Sequence, residues 1–284
     1  MTIEAAVPAP QRRPRSRRLA AGLAVLGFFV LSALLSTAWT PVDNPTRLRI
    51  AERLQPPSVD ALLGTDQLGR DVASLIMLGA QNSLLIAAAA VLLGGLAGIA
   101  IGLLAASRRG VVGDLLMRLM DIVFAFPPIL SAMMLAAALG AGAGNAALAI
   151  AIFMTPVFAR VTRAGALRIL SRDFVLAARG AGRSGPSIAV RHVLPNIAGE
   201  LAVQASIQFG LAILTEAGLS FLGLGITPPA PSWGRMLSDS QTFLTTAPWL
   251  ALAPGIAIAL TVLGANLLGD GLRDRFDPRG NHPS

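Results

Sequence analysis

The sequence predicts an all-α integral membrane protein with six spanning helices. Three observations carry that expectation. Of 284 residues, 54% are hydrophobic and only 13% are charged, about half the charge of a soluble domain. The charge is clustered, which leaves long stretches with almost none. Six of those stretches approach the roughly 20 apolar residues that a helix needs to cross hydrocarbon.

In order, the expected spans are residues 19–39, 83–106, 115–139, 146–161, 197–222 and 247–268. The first follows Arg12, Arg13, Arg15, Arg17 and Arg18, a pattern shared with signal peptides. Its apolar run of about 21 residues exceeds a usual signal core, which favours a span. The second carries Gly94, Gly98 and Gly102 on nearly one face, a seam where a neighbouring backbone can approach closely. Pro127–Pro128 in the third and Pro156 in the short fourth remove backbone donors and predict kinks. Asp114 and Arg118 at the start of the third are spaced as an i, i+4 pair. The fifth carries Glu200, Gln204 and Gln208, within about 80° of one another around the helix. Polar groups at that depth are expected to face a translocation path or another helix.

Arginine counts orient the spans. Eighteen of the 23 basic residues, all Arg, fall on the side of the N-terminal tail, the second-to-third and fourth-to-fifth connections and the C-terminal tail. The other side has Arg47, Arg49, Arg53, Arg70 and Arg235, diluted by acids. The bias places both termini in the cytoplasm.

Composition also excludes functions. With no Cys, and His192 and His282 as the only histidines, disulfides, thiolate chemistry and multi-His metal sites are excluded. The formal charge of +8 is spread between apolar runs and does not form one basic face, so nucleic acid is not an expected partner. No phosphate-binding GxxxxGK[ST] loop is present, and Ser220 has no local base. Catalytic residues are therefore expected to be absent. Glu216 is the one acid expected to lie deep, which leaves a self-sufficient secondary transporter as a competing reading.

The segment at 173–196, DFVLAARGAGRSGPSIAVRHVLPN, interrupts the apolar runs. Phe174, Ala177, Ala178 and Ala181 can share one face of a short helix. Gly182 and Gly185–Pro186 punctuate it, and a second short helix could run over 187–193. Two short helices joined by a Gly-rich turn would form a rigid foot.

This segment resembles the EAA loop of ABC importer permeases. Three more patterns agree in order along the chain: LGTDQLGRDVA at 63–73, LSFLGLGITPPAPSWGRML at 219–237 and NLLGDGLRDRFDP at 266–278. Together they resemble the C-type permease subunits of dipeptide, oligopeptide and nickel ABC importers. In the EAA pattern the two alanines match Ala177 and Ala178, the glycine matches Gly182 and the ending matches Leu194–Pro195. Leu176 stands at the Glu position and His192 at the Ile position, so no coupling salt bridge is carried over to a glutamate there.

The resemblance implies a type I importer permease fold with a coupling loop at 172–195. It also implies a periplasmic segment at 40–78, a transmembrane domain at 79–270, and tails at 1–18 and 271–284. It implies a bacterial inner-membrane location among membrane lipid. The implied partners are a second homologous permease, two cytoplasmic ATPases holding ATP and Mg, and a periplasmic solute-binding protein over 41–79 and 227–246. Path-lining is expected from Gln204, Gln208 and Glu216. Trp233 and Trp249 are expected at the membrane interface. Thr65, Asp66, Gly69, Arg70 and Asp71 are expected to form a structural turn. The scarcity of metal ligands tilts the substrate expectation towards peptides, with nickel or another small solute as the alternative.

Overall fold

The computed structural model describes residues 15–108 and 110–276. Residues 1–14 of the expected tail at 1–18 and 277–284 of that at 271–284, with Arg12, Arg13, Arg279 and His282, lie outside them, as does Arg109. The described residues form helices α1 (Arg15–Leu35), α2 (Val72–Ser107), α3 (Val111–Ala125), α4 (Pro128–Leu139) and α5 (Ala143–Leu170). These are followed by α6 (Asp173–Gly180), α7 (Gly185–Ile188), α8 (Leu194–Phe221), α9 (Trp233–Ser240) and α10 (Trp249–Phe276). Among the described residues, five helices are long and apolar enough to cross a membrane, and α3 with α4 makes a sixth only as a bent pair.

That bend corrects the expectation of one span over 115–139: the two halves meet at 90°. Phe126, which precedes Pro127, is extended at φ −83° and ψ 140°, because the proline ring disfavours the helical region for its predecessor. Pro128 then starts α4, where a missing N–H costs nothing.

Other ends also move. The second span begins at Val72, because the Asp71 carboxylate caps it by accepting from the Ser74 N–H at 2.7 Å. At 36 residues, α2 is about 54 Å long and outreaches the roughly 30 Å hydrocarbon layer. α5 passes through Pro156 and continues to Leu170, carrying Arg160, Arg163 and Arg168 on helix. The expected second foot helix is not separate. α7 passes through a π turn at Ala189–Val193 into α8. The Leu194 N–H bonds to the Ala189 carbonyl, and the widened turn directly precedes Pro195.

The glycines set how closely the helices pack. A methyl group at Gly94 would lie 2.7 Å from the Ala151 carbonyl oxygen, and one at Gly98 would lie 2.6 Å from that of Thr155. One at Gly102 would meet the Ala159 carbonyl at 2.6 Å. All three therefore bed α2 on α5. On the opposite flank, methyl groups at Gly22 and Gly271 would strike α10 and α1 at 2.5 and 2.7 Å. The main core gathers Phe29, Ile86, Ala90, Ile150, Phe158 and Ile213 from α1, α2, α5 and α8. A smaller cluster of Ala106, Ile169, Val175, Ile188 and Ile197 supports α6 and α7 at one end. A third, Val72, Ala247 and Leu250, closes the other.

Gly98→Leu is expected to destabilise the subunit by about 1–3 kcal/mol, as overpacking does in tight cores. Detergent-denaturation midpoints check this. Gly27→Ala, where nothing lies within 4 Å, should leave the midpoint unchanged.

Candidate coupling and translocation site

At the arginine-rich end, α6 and α7 form the foot. Val175, Ile188 and Val193 turn inward and are buried. Phe174, Leu176 and Val190 remain exposed, as do Ala177 and Ala181, while Ala178 is half-buried. The exposed Arg172, Arg179, Arg183 and Arg191 lie along the same segment. Gly182 has φ +78°. Its N–H bonds to the Arg179 carbonyl at 2.9 Å and the Arg183 N–H to the Ala178 carbonyl at 3.1 Å. A side chain there would meet no neighbour, so it is the left-handed backbone that requires glycine. The motif thus divides between two jobs. Ala177, Ala178 and Gly182 shape the foot, whereas Leu194 and exposed Pro195 begin α8. Phe174 stands 6.1 Å from the His192 ring.

A cavity of about 300 Å³ opens between α3, α4, α5 and α8. Phe124, Ile150, Phe153, Met154, Gln208 and Leu211 are among its lining residues. Gln208 is its amide, only 4% exposed. Gln204 is half-buried one turn away and is not in the lining. Glu200 sits nearer the foot and pairs with Arg168.

Glu216 is not in the lining either. It is fully buried on the face of α8 that meets α2 and α9. The Ser220 hydroxyl donates to its Oε1 at 2.6 Å, and the Ser83 and Ser232 hydroxyls lie beside the carboxyl. Trp233 caps this knot. Its Nε1–H donates to the Ile76 carbonyl at 3.1 Å, and Gly79 leaves room for its ring. Trp233 is 0% exposed, which corrects the interface placement: the indole finds its acceptor within the protein. Trp249 is half-buried and donates to the Thr65 carbonyl at 3.3 Å.

Residues 65–71 form a hydrogen-bonded turn, as expected. Asp66 accepts from the Leu68 and Arg70 N–H groups at 2.8 Å and pairs with the Arg70 guanidinium at 2.7 Å. Beside it, a polar pocket of about 240 Å³ is lined by Gln67, Arg70, Pro228, Pro231, Arg235 and Asp239. Arg235 lies 3.0 Å from Asp239. Among the described residues, no three His, Asp or Glu side chains converge as a metal set.

The expected Asp114–Arg118 pair gives way to cross-helix pairs. Arg163 donates to Asp114 at 2.9 Å and Arg160 to Asp121 at 2.8 Å. The sequence counted Arg160 and Arg163 only as cytoplasmic charge, with the fourth span ended at residue 161, and so gave them no helix partners. Their i, i+3 spacing on the continued helix was the available signal.

A bundle of long apolar helices, with a two-helix foot at one end and an ordered polar pad at the other, is the architecture of a membrane transport subunit. A family model described as "Binding-protein-dependent transport system inner membrane component" matches residues 98–281. The dipeptide transport system permease protein of Alkalihalophilus pseudofirmus is 41% identical over 258 residues, covering 91% of this chain and 84% of the relative. The di/tripeptide permease of Pseudomonas aeruginosa is 43% identical, covering 91% and 87%. The glutathione permease of Pectobacterium atrosepticum is 40% identical, covering 89% and 85%. An inward-facing structure of the MetNI methionine ABC transporter has the same fold, with a TM-score of 0.58 at 16% identity, covering 70% of this chain and 94% of that one. This chain belongs to the family of binding-protein-dependent transport system inner membrane components.

Trp233→Ala is expected to cost about 3–5 kcal/mol, as removal of a fully buried aromatic does, and to loosen α9. Denaturation midpoints, together with protease sensitivity of the 223–232 loop, check this. An unchanged midpoint with an intact loop would contradict it.

Proposed function

We propose that this chain is one transmembrane permease subunit of an ABC importer for peptides, working beside a second homologous permease in a bacterial inner membrane. The carrying observation is the exposed foot around Ala177, Ala178 and Gly182, in a chain about 40% identical to named peptide and glutathione permeases over most of its length. Those relatives' names are the support for a peptide substrate.

In this reading the foot seats in a cytoplasmic ATPase, and two ATPases bind ATP and Mg. The exposed apolar side chains and arginines of 172–191 suit a protein partner, since exposed apolar groups away from lipid mark interaction surfaces. Nucleotide-driven closure moves the foot as a rigid body, and α5 and α8 carry that motion into the bundle. Both termini face the cytoplasm on the arginine bias. The pad at the opposite end, with its pocket of paired charges, would receive the periplasmic solute-binding protein. The apolar cavity with Gln208 at its wall would form this subunit's share of the path. Gln204 lies beside it, and the outer faces of the bundle would meet membrane lipid. Glu216 belongs to a sealed knot, which argues against a proton-coupled carrier.

Purification of the tagged chain from gently solubilised membranes tests the assembly. A second permease and ATPases should co-purify. Gly182→Val, which puts a β-branched residue at positive φ, should lose the ATPases and keep the permease partner. Recovery of the chain alone would contradict the proposal.

Gln208→Leu should leave the assembly intact and change uptake per ATP by about tenfold, the scale of one buried polar contact. Uptake by proteoliposomes that hold the assembled complex measures it. Unchanged uptake would remove Gln208 from the path.

A further inference from the structure

This inference rests on the importer reading above and concerns how foot motion reaches the cavity. α3 is weakly held by packing. Gly113 and Met117 are its buried residues, and Val111, Leu115, Leu119 and Ile122 are exposed. Its ties to α5 are polar. Arg160 Nη2 donates to Asp121 Oδ1 at 2.8 Å, and Arg163 Nη2 donates to Asp114 Oδ1 at 2.9 Å. The Arg160 guanidinium also lies 4.1 Å from the centroid of the Phe124 ring, within cation–π range. Asp114, Asp121 and Phe124 fall within about 80° on α3, so one face meets both arginines.

Phe124 is the point where this clasp touches the cavity, because it is a lining residue. It lies in the last turn of α3, just before the 90° bend into α4. Val157, one turn before Arg160 on α5, lines the same cavity. In the other direction α5 runs to Leu170, and only Ser171 and Arg172 separate it from α6. Foot, α5, clasp, Phe124 and cavity therefore form one contiguous series of contacts.

We propose that Arg160, assisted by Arg163, is the positioning residue that makes α3 follow α5 when the foot moves, so that Phe124 shifts at the cavity while the bend before α4 takes up the displacement. The ion pairs are partly exposed, with Asp121 at 60% and Asp114 at 63%. Such pairs add little to folding stability, and the same pairs can fix the position of a loosely packed helix.

The test uses the full complex of permeases and ATPases. The chain has no natural cysteine, so Leu119→Cys on α3 and Leu176→Cys on the foot can carry a spin-label pair. With native arginines, the α3–foot distance should be the same without nucleotide and with ATP plus vanadate, while a label pair from the foot to α10 changes. With Arg160→Gln and Arg163→Gln, the α3–foot distance should become nucleotide-dependent. Uptake of labelled L-Ala-L-Ala per ATP should then fall about fivefold, a coupling loss of the usual size. Assembly and denaturation midpoint should hold.

Arg160→Asp alone should lose both readouts, and adding Asp121→Arg should restore them. Unchanged distances and uptake in the double glutamine variant would overturn the proposal. So would a loss of assembly that the swap cannot repair, since that is a packing role. A native complex whose foot ignores nucleotide would overturn the importer reading itself, and this inference with it.

Discussion

At Gly98 the backbones of α2 and α5 lie so close that a methyl group would come 2.6 Å from the Thr155 carbonyl oxygen. Gly94 and Gly102 repeat that approach one turn away on either side. In lipid no hydrophobic force pulls helices together, so association depends on close van der Waals packing and on polar contacts. This seam therefore determines where α5 stands. α5 in turn carries the foot at one end, walls the cavity in its middle and presents three arginines between them. A displaced seam would shift all three at once.

Polar groups inside the bundle follow a second constraint, since each must find a partner where water is scarce. Thr155, Ser206, Thr215 and Thr261 bond back to carbonyls of their own helices at 2.8–3.0 Å. Glu216 follows it in part: Oε1 accepts from Ser220, with Ser83 of α2 and Ser232 at the start of α9 beside the carboxyl, while Oε2 is buried without a hydrogen-bond partner. That knot and Trp233 fasten the outer pad to the bundle. The outer end is thus stiff, and the foot rests on its own small apolar cluster. A stiff pad, a stiff foot and a bent α3–α4 pair between them suit a subunit that receives motion at one end and changes shape in the middle.

Much of this was legible in the sequence, for local physical reasons. Apolar runs report the spans because hydrocarbon demands them, and the glycine spacing reports the seam because a helix returns to one face every three to four residues. The foot was legible from Ala177, Ala178 and Gly182. Most of what failed was non-local. The start of α2 was a local miss: residues 72–80, VASLIMLGA, are apolar, and Asp71 stands three residues before Ser74 as a helix N-cap. Pro127–Pro128 promised a kink but could not give its 90°. Trp233 looked like an interface residue until Gly79 and Ile76, from a distant helix, supplied its slot and its acceptor. The cavity joins Phe124 to Gln208 and Thr215, residues that no sequence spacing links. Asp114 had a partner at the right local spacing and chose one on another helix.

The most direct test of the account asks whether the foot is where an ATPase sits. Ala177→Cys supplies a single thiol in a chain that otherwise has none. In inside-out membrane vesicles, a membrane-impermeant maleimide should label that thiol slowly while the ATPases are bound and rapidly once they are washed off. Equal labelling before and after the wash, with ATPases verified on the membrane, would contradict the central claim that this foot couples the subunit to its motor.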